Sequence, residues 1–234
     1  VMKKMTGWEN DMDKLLITLP VIGCAFKKTF YDKSKDKNVS KLVMPQDLII
    51  NYWAKSLDDA ERKTERLEMS RRLVKERILE GIFRDVDITK SQVPLVQKQS
   101  GALIQPPKED QTTPYIILEQ HTFLDLDGDG YEEPYIVTFE EVSKEVLRIT
   151  ARFDVDDVKT NEKGKVTSIK PIEYYTKYGF IPNPDGGFYD VGFGLLLGPI
   201  NESVNSIINQ LIDSGTLSNL QSGFIGKGLR LKMG

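Results

Sequence analysis

Residues 115–140 read YIILEQHTFLDLDGDGYEEPYIVTFE, and this stretch decides the fold. Two runs rich in β-branched and aromatic residues, 115–125 and 133–140, flank a short stretch of alternating aspartate and glycine. Glycine reaches the left-handed backbone that a tight turn needs, and aspartate folds its carboxylate back onto nearby amides. The pattern predicts an antiparallel hairpin. Toward the C-terminus, 146–153 and 169–178 show the same enrichment, and Asn161, Glu162, Lys163 and Gly164 supply a second hairpin turn. A loop punctuated by glycine and proline over 179–194 leads to a helix over 199–213. There Ile200, Val204, Ile207, Ile208, Leu211 and Ile212 form one apolar stripe. Pro199 suits the first turn of that helix, and Gly215 interrupts or ends it. Gly223, Gly226 and Gly228 around Phe224 and Ile225 suggest one more short strand.

Toward the N-terminus, 86–114 holds no convincing element, and 97–113, rich in Gln, Lys, Pro and Thr, reads as a surface loop. Before it, 70–80 is a helix with Leu73, Val74, Ile78 and Leu79 as its apolar positions and Gly81 as its C-cap. Trp8, Met12, Leu15, Leu16 and Leu19 recur at helical spacing, and Pro20 closes that helix. Residues 21–31 favour strand, 32–38 form a charged turn, and 39–53 give one or two strands broken at Pro45. Ser56 to Asp59 would cap a helical turn, and 62–66 is extended or irregular. The sum is an α+β chain, an antiparallel sheet with several short-to-medium helices. It divides into a helix/strand region, 1–114, and a β-rich portion, 115–234, or forms one continuous domain.

The bulk properties exclude several classes. Thirty-two basic residues against 35 acidic ones leave a formal charge of -3, too weak to pull the chain toward nucleic acid or an anionic membrane. Any DNA would meet a mildly acidic wall or local patches. No run approaches the roughly 18 consecutive apolar residues of a membrane span. The first residues, VMKKMTGW, run into mixed charged sequence, so no signal peptide is expected, and the opening valine fits an internal fragment. One cysteine, Cys24, cannot form an intrachain disulfide, which fits a reducing compartment; in an apolar run, it reads as a buried inert thiol. With a single histidine, His121, little is left for triads or zinc sites.

The sharpest chemical motif is the loop itself. Asp125, Asp127 and Asp129 stand at positions 1, 3 and 5 of a calcium-type loop, Gly130 at 6, Tyr131 at 7 and Glu133 at 9. Position 12, where an EF-hand places a bidentate glutamate, is Ile136, and strand follows in place of helix, so this is no EF-hand. Two readings stay open: a short calcium loop with Asp125, Asp127, Asp129 and Glu133 as ligands, or a turn with its carboxylates in water. Arg71, Arg72, Lys75 and Arg77 form a basic cluster that could meet phosphate, but Glu65, Glu68, Glu76 and Glu80 nearby favour ion pairing. GFIGKG at 223–228 lacks the Gly-Lys-Ser/Thr ending of a Walker loop and reads as close backbone packing. His121 reads as structural.

Several stretches resemble the portal proteins of tailed bacteriophages: LPVIG at 19–23 leading to FKKTFY at 26–31, MPQDLIINY at 44–52, GIFRDVD at 81–87, and His121 through the Asp-Gly loop to PYIVT at 134–138. The densest block starts with YGFIPNP at 178–184. It continues through GFG at 192–194, LGPINE at 197–202, Asn205 and INQLIDSG at 208–215 to Gly223 and Phe224. The resemblance implies a structural subunit without catalytic activity in a dodecameric ring at one capsid vertex of the virion, assembled in the bacterial host cytoplasm. Double-stranded DNA would pass through its channel during packaging and ejection. Its partners would be its own copies, the capsid protein, the terminase motor and the head-completion or adaptor proteins, with no membrane. The chain resembles the wing and adjoining core of such a subunit. No cofactor is implied, calcium at the acidic loop apart. A closed ring buries heterologous interfaces, so an isolated subunit should expose apolar and aromatic patches. Two other readings compete: a calcium-binding β-rich interaction module, and a hydrolase or nuclease, each resting on the same aspartates.

Overall fold

The computed structural model describes residues 7–32, 36–86, 88, 113–162 and 165–219. In chain order it contains α1 (Trp8–Ile22), β1 (Cys24–Asp32), β2 (Lys37–Val43), β3 (Leu48–Ile50), β4 (Lys63–Met69), α2 (Arg71–Leu79), β5 (Tyr115–Leu124), β6 (Glu133–Glu140), β7 (Val146–Ala151), β8 (Val158–Thr160), β9 (Val166–Ile169), β10 (Tyr175–Gly179) and α3 (Phe193–Asn219). The chain is α+β. The hairpin predicted around the Asp-Gly loop is β5–β6, and it is the middle of a five-stranded antiparallel sheet ordered β3-β4-β5-β6-β7. A second sheet, ordered β10-β1-β2, and the small β8–β9 hairpin complete the β structure. Strands from the first and second portions of the chain share both larger sheets: β4 pairs with β5, and β1 pairs with β10.

One face of the five-stranded sheet changes character along its length. Met69 and Leu67 on β4 pair across to Tyr115 and Ile117 on β5, and farther along Glu65 and Lys63 pair to Glu119 and His121. Side chains at alternate positions share a face, so this single face is apolar at one end and polar at the other. The apolar end packs under α2, where Met69, Val74, Phe83, Ile117 and Leu147 form one core cluster. Ser70 caps α2 by accepting from the Leu73 amide at 3.3 Å, and Gly81, at φ 72°, turns the chain away after it. A separate core, Cys24, Phe26, Val43, Leu48, Tyr175 and Phe188, joins the three-stranded sheet to β3.

Several elements depart from their sequence expectations. The helix predicted to close at Pro20 runs to Ile22, because a proline in the last turn loses one backbone bond yet keeps a helical φ. The chain then turns at Gly23, whose amide donates to the Leu19 carbonyl at 2.8 Å. Of the two readings of 62–66, the extended one holds from Lys63, the first residue of β4, which pairs with both β3 and β5. The run 169–178 is divided: after Pro171 the Ile172 amide turns to the Arg152 carbonyl at 2.8 Å, so β9 ends at Ile169 and β10 begins at Tyr175. Ser56 accepts from the Asp59 amide at 3.1 Å in a turn, without a helix. The C-terminal helix spans Phe193–Asn219, with Pro199 and Gly215 inside it. Its apolar spacing continues back through Phe193, Leu196 and Leu197, which outweighs the lost proline bond. The strand expected around Phe224, and the loop 97–113 apart from Thr113, lie outside the described residues.

A glycine joint roots α3. Gly23 has φ 104°, and a Cβ there would lie 2.3 Å from the Asp190 carbonyl oxygen and 2.5 Å from the Gly192 nitrogen. A Cβ on Gly192 would lie 2.4 Å from the Val21 carbonyl oxygen. The end of α1, the start of β1 and the start of α3 therefore touch backbone to backbone. Gly23→Ala should cost about 3 kcal/mol, from a forbidden φ plus displaced backbone. Urea unfolding of the variant against the parent chain measures that loss.

Candidate functional site

The acidic loop is assembled as its spacing suggests. Asp125, Asp127 and Asp129 each offer a carboxylate oxygen, all within 4.8 Å of one another, and all three residues are exposed. The loop also satisfies itself. Asp125 accepts from the Gly128 amide at 2.7 Å and the Gly130 amide at 3.0 Å, Asp127 from Asp129 at 3.2 Å, and Asp129 from Tyr131 at 2.7 Å. Gly128 and Gly130 hold the positive φ values, 75° and 88°, that this turn requires. Glu133 stands apart from this group, on β6, where its carboxylate accepts from the Tyr135 hydroxyl and pushes that phenol up to about 12. The Tyr131 hydroxyl accepts from the Ile169 amide at 3.0 Å and so ties the loop to the β8–β9 hairpin.

The polar end of the sheet face holds a second constellation, which local sequence reading misses. Glu65 and Glu119 lie directly opposite each other on β4 and β5. Like charges in that register repel. Lys28 of β1 reaches in from the other sheet, its Nζ 2.6 Å from Glu65 and 2.7 Å from Glu119. Burial pushes the Lys28 ammonium down, and the charges of Glu119 and Glu65 outweigh it, so it stays above its ordinary value. The Tyr175 hydroxyl of β10 also donates to Glu65, at 2.8 Å. Burial followed by the Glu65 and Glu119 charges raises that phenol far above its usual range. Beside this group, Glu173 accepts from Lys63 at 2.5 Å and from Arg152 at 2.8 Å. His121 Nε2 lies 3.1 Å from Glu119. Burial raises the Glu119 carboxyl, but the His121 hydrogen bond and Lys28 bring it down to about 2.

In the basic cluster, Arg72 pairs with Glu76 at 2.9 Å, Arg71 lies over the Tyr115 ring and Arg77 over Phe83. Cys24 is buried, and burial raises its thiol. The segment 223–228 lies outside the described residues. Along α3 no residue is buried: Ile200, Val204, Ile207, Ile208, Leu211 and Ile212 are all exposed, Leu211 by 66%. Tyr52 and Trp53, in an edge-to-face pair at 5.1 Å, are 89% and 85% exposed on the segment after β3. Among the described residues, no helix is long and apolar enough to cross a membrane.

No protein-family model matches the chain, and no curated protein matches it.

Lys28→Met keeps an unbranched side chain of similar length and removes its charge, leaving Glu65 and Glu119 facing each other without the cation between them. The expected loss is about 3–5 kcal/mol of unfolding free energy. Adding Glu119→Gln should recover part of it by removing the repulsion, and a double-mutant cycle of denaturant midpoints reads the coupling.

Proposed function

We propose that this chain is part of a non-catalytic structural subunit of a tailed-bacteriophage portal. In this reading about a dozen copies close into a ring by rotation at one capsid vertex. Double-stranded DNA passes through the channel, and the ring docks the terminase motor, the head-completion proteins and the surrounding capsid protein. The resemblance over 178–224 supports the reading, and α3 is the observation that carries it. A helix of 27 residues with one continuous apolar stripe and no buried side chain is one half of an interface. Exposed apolar area of this extent on a chain of ordinary composition points to association. The opposite side of the helix carries Glu202, Asn209 and Asp213, so one side suits a neighbour and the other suits water. A formal charge of -3 fits a channel that passes DNA without holding it.

Native mass spectrometry and electron microscopy of the full-length protein should show rings of about a dozen copies. Ile207→Lys, at an exposed position, should shift the population to small species by at least tenfold in assembly constant, since burying an unpaired ammonium costs more than about 1.4 kcal/mol. Its far-UV circular dichroism should match the parent. A full-length protein that stays monomeric at all concentrations overturns the reading.

The aspartate cluster favours a second reading, a calcium-binding β-rich module. Asp125, Asp127 and Asp129 supply hard oxygen donors on a tight turn, and waters would have to complete the six to eight ligands that calcium takes. A melting temperature that rises in millimolar calcium for the parent chain but not for Asp127→Ala carries this reading; an unchanged melting temperature removes it.

A further inference from the structure

His121 stands among the charged groups of the polar cluster between the sheets, and its surroundings disfavour a charge on its ring. Its side chain is fully buried. The Glu119 carboxylate at Nε2 can only accept, so Nε2 carries the proton and Nδ1 is a bare lone pair. Nδ1 has no hydrogen-bond partner among the described residues. Every packed element presents its charges nearby. β5 itself supplies Glu119, and β4 supplies Lys63, the direct cross-strand partner, and Glu65. β1 supplies Lys28, β2 supplies Lys41 at 3.9 Å from Glu65, the segment after β7 supplies Arg152, and the approach to β10 supplies Glu173. The Tyr174 and Tyr175 rings lie 5.6 and 5.0 Å from the imidazole, and the β6 partner is Ile136, which carries no charge.

The carboxylates are already fully matched. Lys28, Lys63 and Arg152 face Glu65, Glu119 and Glu173, and Lys41 lies a further 3.9 Å from Glu65. A second proton on His121 would put an uncompensated positive charge, with an N–H lacking an acceptor, in the buried space that Lys28 and Arg152 share. The ladders on both sides of β5 hold the His121 backbone, whereas β1 and β10 reach it only through side chains. The element free to give way is therefore the three-stranded sheet.

We propose that His121 is a proton-operated latch between the two sheets: neutral, it holds their polar ends together; protonated, it opens that end and turns β1, α1 and the root of α3 relative to the five-stranded sheet. The coupling to α3 runs through the Gly23–Gly192 backbone contact. Cys24, Phe26, Val43, Leu48 and Phe188 of the apolar core would stay closed while Tyr175, which belongs to both that core and the cluster, would shift with the opening, so the event is local and not unfolding. The sign follows from burial, which lowers the His121 pKa against the opposing pull of Glu119. The open form then binds the proton more strongly. The closed form is favoured above the ordinary histidine range and is lost as pH falls through the lowered value. Glu119 remains ionised throughout that window, because its own value lies near 2.

Hydrogen exchange read by mass spectrometry at pH 7.5 and 5.5, corrected for intrinsic rates, tests the latch. In the parent chain, protection over β1, β2 and β10 should fall by up to about tenfold per pH unit, the slope of one bound proton, while β5 and β6 stay protected. In His121→Gln, whose amide can still donate to Glu119 but does not titrate, the acid response should disappear. An equal response in parent and variant, a loss spread evenly over β4 to β7, or no response in the parent overturns the proposal. Should the variant fail to fold, proton NMR of the parent decides. His121 is the only histidine, so its ring resonances are unambiguous. Titration below the ordinary range together with shifts in β1 amides supports the latch, and titration at the ordinary value without them overturns it.

Discussion

The Lys28 ammonium between Glu65 and Glu119 is the contact on which the arrangement of the two sheets depends. The register of β4 on β5 sets the two carboxylates against each other. That register is also what aligns Leu67 and Met69 with Ile117 and Tyr115 beneath α2. A slip of one residue would turn the whole set to the other face. The apolar end therefore demands an alignment that creates repulsion at the polar end, and only a cation delivered from another element relieves it. Lys28 does so from β1, and Tyr175 of the paired strand β10 adds a neutral donor to the same carboxylate. Desolvating these ions costs several kcal/mol each, so the cluster contributes little net stability compared with apolar packing. What it contributes is selectivity: other dockings of the three-stranded sheet leave buried carboxylates unpaired.

Signals confined to a few neighbouring residues are legible in the amino-acid sequence alone. The β5–β6 hairpin, α2 with its glycine end, and the clustering of Asp125, Asp127 and Asp129 all follow from spacing within a dozen residues. Two helices run past their proline and glycine marks, because Pro20 and Pro199 each remove one bond while the apolar spacing around them continues. Glu133 separates from the other acids because the strand has already begun and alternation sends its side chain to Tyr135. The charged cluster is invisible to local reading for a different reason. Its members, from Lys28 to Tyr175, are brought together only by the pairing of strands remote in sequence. The available hint is Lys27 and Lys28 in the middle of an otherwise apolar strand start, where two adjacent charges cannot both face water.

The exposed apolar face of α3 and the buried cluster are connected through the backbone contact at the root of the helix. The joint at Gly23, Gly192 and Val21 is made by backbone atoms, so the direction in which α3 leaves the body follows how β1 lies on the five-stranded sheet. β1 is positioned by its ladders to β2 and β10 on either side and by Lys28 above the carboxylates. A small rotation there would be carried along a helix of about 40 Å, the length that 27 residues span. An assembly that docks through α3 would thus read the state of the cluster at its far end. In the proposed ring that reading would be shared, because each copy's helix would have to meet its neighbour in the same geometry for rotation to close the circle. A subunit with a loosened cluster would present its helix at the wrong angle, and the cost would fall on assembly before it fell on the fold of the single chain.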